Sequence, residues 1–218
     1  MSGRLIVLEA VDLAGKSTQL NLLHRALTTR GLRVAEISYP DRTSPETGAA
    51  IVAFLAGALP LVAEPERHPV EQMLAGQRLF SLNRIEAAPR LERLIAEHDL
   101  VLASRYALSA RAYARAGGVD GETIDALHQE LEHDLRRPDL TLILDLDPDG
   151  LDQRERSEGL DAFERDRDLQ RRVRDAYREL AAGDSSIELV DAHGTPEEIH
   201  RHIIDLLERH GLLARVGV

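Results

Sequence analysis

The chain has 218 residues, 43% of them hydrophobic and 30% charged, with a formal net charge of −11 and no cysteine. That is the composition of a globular protein long enough to bury a core, and it excludes disulfides, thiolate chemistry and cysteine-ligated metal. The acidic balance argues against a nucleic-acid or anionic-membrane surface, so an anionic small molecule would have to be captured by local arginines.

The first apolar run, Leu5 to Leu8, is too short for the h-region of a signal peptide. The longest apolar stretch, 49–63, contains Gly57 and Pro60 and is too short to span a bilayer. A cytoplasmic protein is therefore expected. Apolar runs that read as strands lie at 4–9, 33–38, 100–103, 140–146 and 187–190. Helical periodicity occupies 17–30, 46–55, 70–97, 109–116, 123–135, 164–182 and 196–209. Strands alternating with helices imply an α/β fold with a five-stranded parallel sheet covered on both faces. Thr195-Pro196-Glu197-Glu198 reads as a capping box with proline at the first helical position. Asp147-Pro148 is a second cap-plus-proline start, and Gly211 suits a helix C-terminal cap. No repeat, low-complexity tract or linker interrupts the chain, so 1–218 is expected to be a single domain.

Between the first strand and first helix lies Ala10-Val11-Asp12-Leu13-Ala14-Gly15-Lys16-Ser17-Thr18. Apolar strand, small-residue loop and helix start, with Gly-Lys-Ser at the junction, is the layout of a phosphate-cradling P-loop. Loop N–H groups and the helix N-terminus make an anion site, to which a lysine adds a point charge. Lys16 is the only lysine, every other basic residue being arginine. The planar fork of arginine does not replace a compact ammonium inside a tight loop. The segment 152–167 is dense in charge with Gly159 near its centre. It fits a solvated helical hairpin with i,i+4 ion pairs, and equally a lid whose arginines close over phosphates. The nine histidines lack ligand spacing, so no metal site is assigned to them.

Four further stretches, taken with the loop, carry a family resemblance. They are Tyr39-Pro40-Asp41-Arg42-Thr43, then Leu79-Phe80-Ser81-Leu82-Asn83-Arg84, then Ser104-Arg105-Tyr106 with Ser109, Ala112 and Tyr113, and Arg137-Pro138-Asp139-Leu140 with Leu144-Asp145. In this order they resemble the thymidylate kinase family over about residues 3–182, within the P-loop nucleoside monophosphate kinase fold. The Phe-Ser-x-Asn-Arg and Arg-Tyr-x-x-Ser-x-x-Ala-Tyr stretches make the resemblance specific. It implies ATP as phosphoryl donor, Mg²⁺, a dTMP-like acceptor, no nucleic-acid or membrane partner, and a homodimer. By resemblance, residues 10–18 cradle ATP, Lys16 holds its β- and γ-phosphates, and Ser17 places a hydroxyl near Mg²⁺. Asp12 faces the acceptor's 3′-hydroxyl and phosphate region. Arg42 grips the acceptor phosphate, Phe80 stacks on the pyrimidine, and Arg84 donates to a base carbonyl. Arg105 neutralises charge on the transferring group, and Tyr113 fills the space of a ribose 2′-hydroxyl.

Three positions depart from the family pattern. Ala10 replaces the first loop glycine. Leu13 stands where members carry glycine or arginine, and members without a loop arginine recruit arginines from the lid. Arg154 and Arg156 are then the suppliers, and Asp161 and Glu164 match carboxylates that organise Mg²⁺, often through water. Ser104 stands where the family has aspartate, so its charge is missing unless Asp12, Asp161, Glu164 or Glu9 replaces it. The expected activity is phosphorylation of dTMP by ATP. The alternatives are another or modified pyrimidine nucleotide, and a weakened nucleotide-binding paralogue.

Overall fold

Five parallel strands, β1 (Arg4–Ala10), β2 (Val34–Ser38), β3 (Leu100–Ser104), β4 (Leu140–Asp145) and β5 (Ile187–Asp191), form one sheet in the order β2-β3-β1-β4-β5. The computed structural model describes residues 3–148 and 166–213. Between the strands run α1 (Lys16–Thr29), α2 (Gly48–Leu55), α3 (Pro69–Glu97), α4 (Ala107–Ala116), α5 (Gly121–Glu132) and α6 (Arg167–Ala181), and α7 (Pro196–Arg209) follows β5.

Strand periodicity of two splits the central strands between two cores. Ile6 and Leu8 face a cluster with Leu20, Leu23 and Leu27 of α1, Val173 and Tyr177 of α6, and Ile203 and Leu207 of α7. Leu5 and Val7 face the other side, where Ala87, Leu91 and Ile95 of α3 pack. Leu5 to Leu8 of β1 are buried on both faces, which is why this part of the strand is an unbroken apolar run. β1 pairs with β3 on one side and β4 on the other. In such an open sheet, ligands bind beyond the carboxyl ends of the strands, where connections leave in opposite directions. The carboxyl end of β1 runs straight into the Gly-Lys-Ser loop.

Helix boundaries differ from the sequence pattern at several places: α4 begins at Ala107 rather than at 109, and α2 and α5 differ for local reasons. α2 begins at Gly48 rather than at 46, because the N–H groups of Glu46 and Thr47 donate to the Glu86 carboxylate at 2.8 and 3.0 Å. α5 spans 121–132 rather than 123–135. Asp120 caps it by accepting from Thr123 N–H at 3.0 Å, and a tight Leu135-to-Glu132 turn closes it. α7 carries the expected capping box between Thr195 and Glu198, and Gly211 follows it with φ 67°.

Candidate functional site

The loop from Ala10 to Gly15 turns β1 into α1, and the turn depends on backbone conformations that most residues resist. Gly15 has φ 82° and Leu13 φ 64°, both in the left-handed region. Leu13, partly exposed, therefore holds a conformation that glycine adopts without strain. α1 starts at Lys16, and no acidic residue occupies its first turn, so the helix N-terminus keeps its full affinity for an anion. Ser17 and Thr18 are exposed at this end.

Beside the loop opens a cavity of 590 Å³, lined among others by Lys16, Asp12, Arg42, Phe80, Arg84, Arg105 and Tyr113. All the residues assigned to the acceptor by resemblance thus meet in one place. Its floor is α3, on which Phe80 and Arg84 share a face. Phe54 of α2 packs edge-to-face on Phe80, with ring centroids 5.9 Å apart. That approach needs Gly76, because a Cβ there would lie 2.5 Å from the Phe54 ring. Arg84 is buried and donates from Nη2 to Glu132 of α5 at 2.5 Å and to Ser81 at 3.2 Å. Burial would raise the Glu132 carboxyl, but the Arg84 charge and bond outweigh it and hold it below the usual range. The guanidinium is thereby fixed at the cavity wall.

The segment after β2 reaches the cavity through a cis Tyr39–Pro40 bond and is pinned to α3. Asp41 N–H donates to Asn83 Oδ1 at 2.7 Å, and Asn83 Nδ2 donates back to Asp41 O at 2.9 Å. Arg90 Nη1 donates to Asp41 Oδ2 at 3.0 Å. Arg42 is left exposed at the rim.

At the boundary of loop and cavity, four residues from distant parts of the chain bind one another. Arg105 donates to Asp12 and, at 3.1 Å, to the carbonyl of Ala10. Its guanidinium lies 5.4 Å from the centroid of the Tyr113 ring. Tyr113 O–H donates to Asp12 Oδ2 at 2.7 Å, and burial pushes that hydroxyl well up, so it stays a donor. Gln170 of α6 accepts from Asp12 N–H at 3.0 Å and donates to Asp12 Oδ2 at 2.9 Å. Burial works against the Arg105 cation, yet neighbouring Asp12 keeps it above its ordinary range.

Ser104 ends β3 at the cavity wall without a charge. Glu9 does not replace it. That carboxylate is fully buried and accepts from Tyr106 N–H, Ser109 N–H, Ser109 O–H and Tyr177 O–H. Asp12 is likewise held by Arg105, Tyr113 and Gln170. Arg154, Arg156, Asp161 and Glu164, and with them 152–165 of the expected lid, lie outside the described residues. α6 is described from Arg167, with Asp166 capping it through Leu169 N–H at 2.9 Å. Sequence alone does not single out Gln170, Arg90 or Glu132 as site residues, and Asn83 appears there only within the Phe-Ser-x-Asn-Arg stretch, with no role assigned. Gln170 carries a weaker signal, as a polar residue in helical register with the apolar Val173 and Tyr177.

A parallel five-stranded sheet, a Gly-Lys-Ser loop at the end of its central strand and a cation-lined cavity beside that loop define a P-loop kinase of the nucleoside monophosphate kinase class. The family model described as thymidylate kinase matches residues 8–203. The chain is 35% identical over 210 residues to a thymidylate kinase of Danio rerio, covering 94% of this chain and 90% of the relative. It is 31% identical over 212 residues to a probable thymidylate kinase of Thermococcus gammatolerans, covering 95% and 97%. Among solved structures, the thymidylate kinase of Candida albicans superposes with a TM-score of 0.74 at 26% identity, covering 97% of this chain and 93% of that one. The chain belongs to the thymidylate kinase family.

Proposed function

We propose that the protein transfers the γ-phosphoryl group of ATP to dTMP, releasing ADP and dTDP. The observation that carries this reading is the shared wall. Lys16 and Asp12 belong to the loop and also line the cavity that holds Phe80, Arg84, Arg42 and Arg105. A donor phosphate at the helix N-terminus therefore faces an acceptor in the cavity with no protein layer between them. Residues 10–18 cradle the ATP phosphates through backbone N–H groups, and the Lys16 ammonium follows charge onto the transferring group. Phe80 stacks on the pyrimidine and Arg84, held by Glu132, donates to a base carbonyl. Arg42 grips the acceptor phosphate, and Arg105 spans acceptor and transferring phosphoryl group. Asp12 and Tyr113 border the deoxyribose, where Tyr113 leaves no room for a 2′-hydroxyl. The acceptor phosphate attacks in line without a covalent intermediate, so the protein supplies alignment and charge neutralisation.

The donor set suits Mg²⁺ held chiefly by phosphates and water. Among the described residues no group of three His, Cys, Asp or Glu side chains converges, whereas the Ser17 hydroxyl is exposed at the helix start. We assign Ser17 as the protein ligand, with Asp161 and Glu164 acting through water, and the metal would neutralise negative charge on the donor phosphates. Arg154 and Arg156 supply the positive charge that Leu13 does not. We also assign a homodimer through α2 and α3, on which Val52, Leu82 and Ile85 are exposed apolar residues. No helix among the described residues is long and apolar enough to cross a membrane, and we assign a cytoplasmic location.

The test is coupled ADP release with Mg²⁺-ATP. Release that depends on added dTMP and disappears in Lys16→Ala supports the reading. Release that is independent of dTMP, or absent at saturating dTMP, overturns it.

A further inference from the structure

Arg105 occupies a backbone conformation that its own sequence disfavours. Its φ of 63° is left-handed, a conformation that an ordinary L-residue resists and that persists only where the surroundings fix it. The fixing comes from consecutive residues at the end of β1. Leu8 O accepts from Arg105 N–H at 2.9 Å and Ala10 O accepts from its guanidinium at 3.1 Å. Glu9, between them, holds the start of the next helix. α4 begins two residues after Arg105, and its N-cap residue, Tyr106, makes no side-chain cap. The orphaned N–H groups of Tyr106 and Ser109 donate instead to Glu9 Oε1 at 2.8 and 3.2 Å. Glu9 Oε2 accepts the Ser109 hydroxyl and, at 3.0 Å, Tyr177 O–H from α6. One fully buried carboxylate thus caps a helix from a neighbouring strand and bolts a second helix to it, at the pole where helix dipoles favour negative charge. Glu9 does not line the cavity, whereas Arg105, Tyr106 and Ser109 all do.

We propose that Glu9 is a positioning residue: by capping α4 and anchoring Tyr177 it fixes the left-handed turn that presents Arg105 to the phosphates. The inference rests on the role given to Arg105 above. Ser104 leaves no carboxylate at the end of β3, so Asp12 on the guanidinium and Glu9 behind the turn together hold this arginine. Glu9 acts through geometry, since its four donors leave it no oxygen to offer to substrate or metal.

The test is a double-mutant cycle between Glu9→Gln and Arg105→Ala, read as kcat and as the KM of each substrate. Glutamine keeps the shape and one acceptor oxygen but turns an NH₂ toward the two hydroxyls. Glu9→Gln is expected to lower kcat about tenfold while leaving the KM for ATP within about twofold. In the Arg105→Ala background the same change is expected to cost less than about twofold, because the group it positions is gone. Equal losses in both backgrounds would mean a structural role only and would overturn the proposal. If Glu9→Gln fails to fold, Tyr177→Phe replaces it in the cycle, with a loss of about threefold expected that again shrinks without Arg105. A second readout needs no turnover. The Arg105 guanidinium N–H signal in ¹⁵N spectra, identified by its loss in Arg105→Ala, should be protected from exchange in the wild type and at least about tenfold less so in Glu9→Gln. Unchanged protection also overturns the proposal. A wild type that shows this signal but does not turn over dTMP would instead strike at the reading of the acceptor.

Discussion

The loop proposed to hold the donor and the cavity proposed to hold the acceptor share Lys16 and Asp12 yet are built in opposite ways. The loop and the helix start are nine consecutive residues, 10–18, and the groups proposed to bind phosphate there are mostly backbone N–H donors oriented by the chain's own turn into α1. The cavity is made of side chains from six helices and strands and the loops between them, several held by partners remote in sequence. Arg84 depends on Glu132, Asp41 on Asn83 and Arg90, and Asp12 on Gln170 and Tyr113. A loop of backbone donors tolerates side-chain changes, which is how Ala10 stands where the resemblance expects glycine and Leu13 where it expects glycine or arginine. A cavity of cross-braced side chains does not, because removing one partner leaves another buried and unpaired.

Substitutions on either side put that contrast at risk. The largest effect belongs to the one loop side chain that backbone cannot replace: Lys16→Ala should lower turnover at least about 10³-fold and weaken ATP binding, measured by coupled ADP release. Next comes a cavity partner that touches no substrate. Glu132→Ala leaves Arg84 buried without its counter-charge, and should destabilise the fold by roughly 3 kcal/mol and raise the KM for dTMP. A melting temperature unchanged from wild type would mean that Glu132 does not brace this wall.

The same corner carries a pH dependence. Burial pulls His128 down from 6.5 to about 4 despite the nearby Glu132. Below pH 6.5 the unfolded chain takes up a proton that the folded protein refuses until about pH 4. Stability is therefore full above 6.5 and falls by about 3 kcal/mol as pH drops to 4. Denaturant titrations across that range should show this acid limb in the wild type and a flattened one in His128→Gln. Phe80→Ala should raise the KM for dTMP about tenfold or more and that for ATP less than about twofold; equal shifts would count against the stacking role. Smallest of all is Leu13→Gly, which relieves a left-handed leucine without touching a donor. It should leave kcat/KM within about twofold, and a large loss would mean that the loop depends on its side chains after all.

The unequal legibility of the two regions in the sequence has the same origin. The loop can be read directly because its residues are contiguous and its strand and helix are marked by local patterns. α7 is legible almost to the residue, since Thr195, Pro196 and Glu198 define its start within four positions. Phe80 and Arg84 are legible as a pair because helical spacing puts them on one face. What they rest against is not, because Glu132 and Phe54 reach them only through the tertiary packing of α5 and α2 on α3. Gln170 is legible only as a polar residue on an apolar stripe, and nothing local says that its amide clasps Asp12, 158 positions away. Glu9 reads as part of the first strand, and its burial beneath α4 comes from strand order, which no local pattern states.

That loop and cavity together make an ATP:dTMP phosphotransferase is best tested by competition. The protein would receive limiting Mg²⁺-ATP and an equimolar mixture of dTMP, dUMP, dCMP, dAMP and dGMP, with the diphosphate products separated and quantified. The cavity of Phe80, Arg84 and Tyr113 predicts dTDP as the dominant product, matched one for one by ADP. A product pattern spread evenly over the five bases, or dominated by a purine, would contradict it.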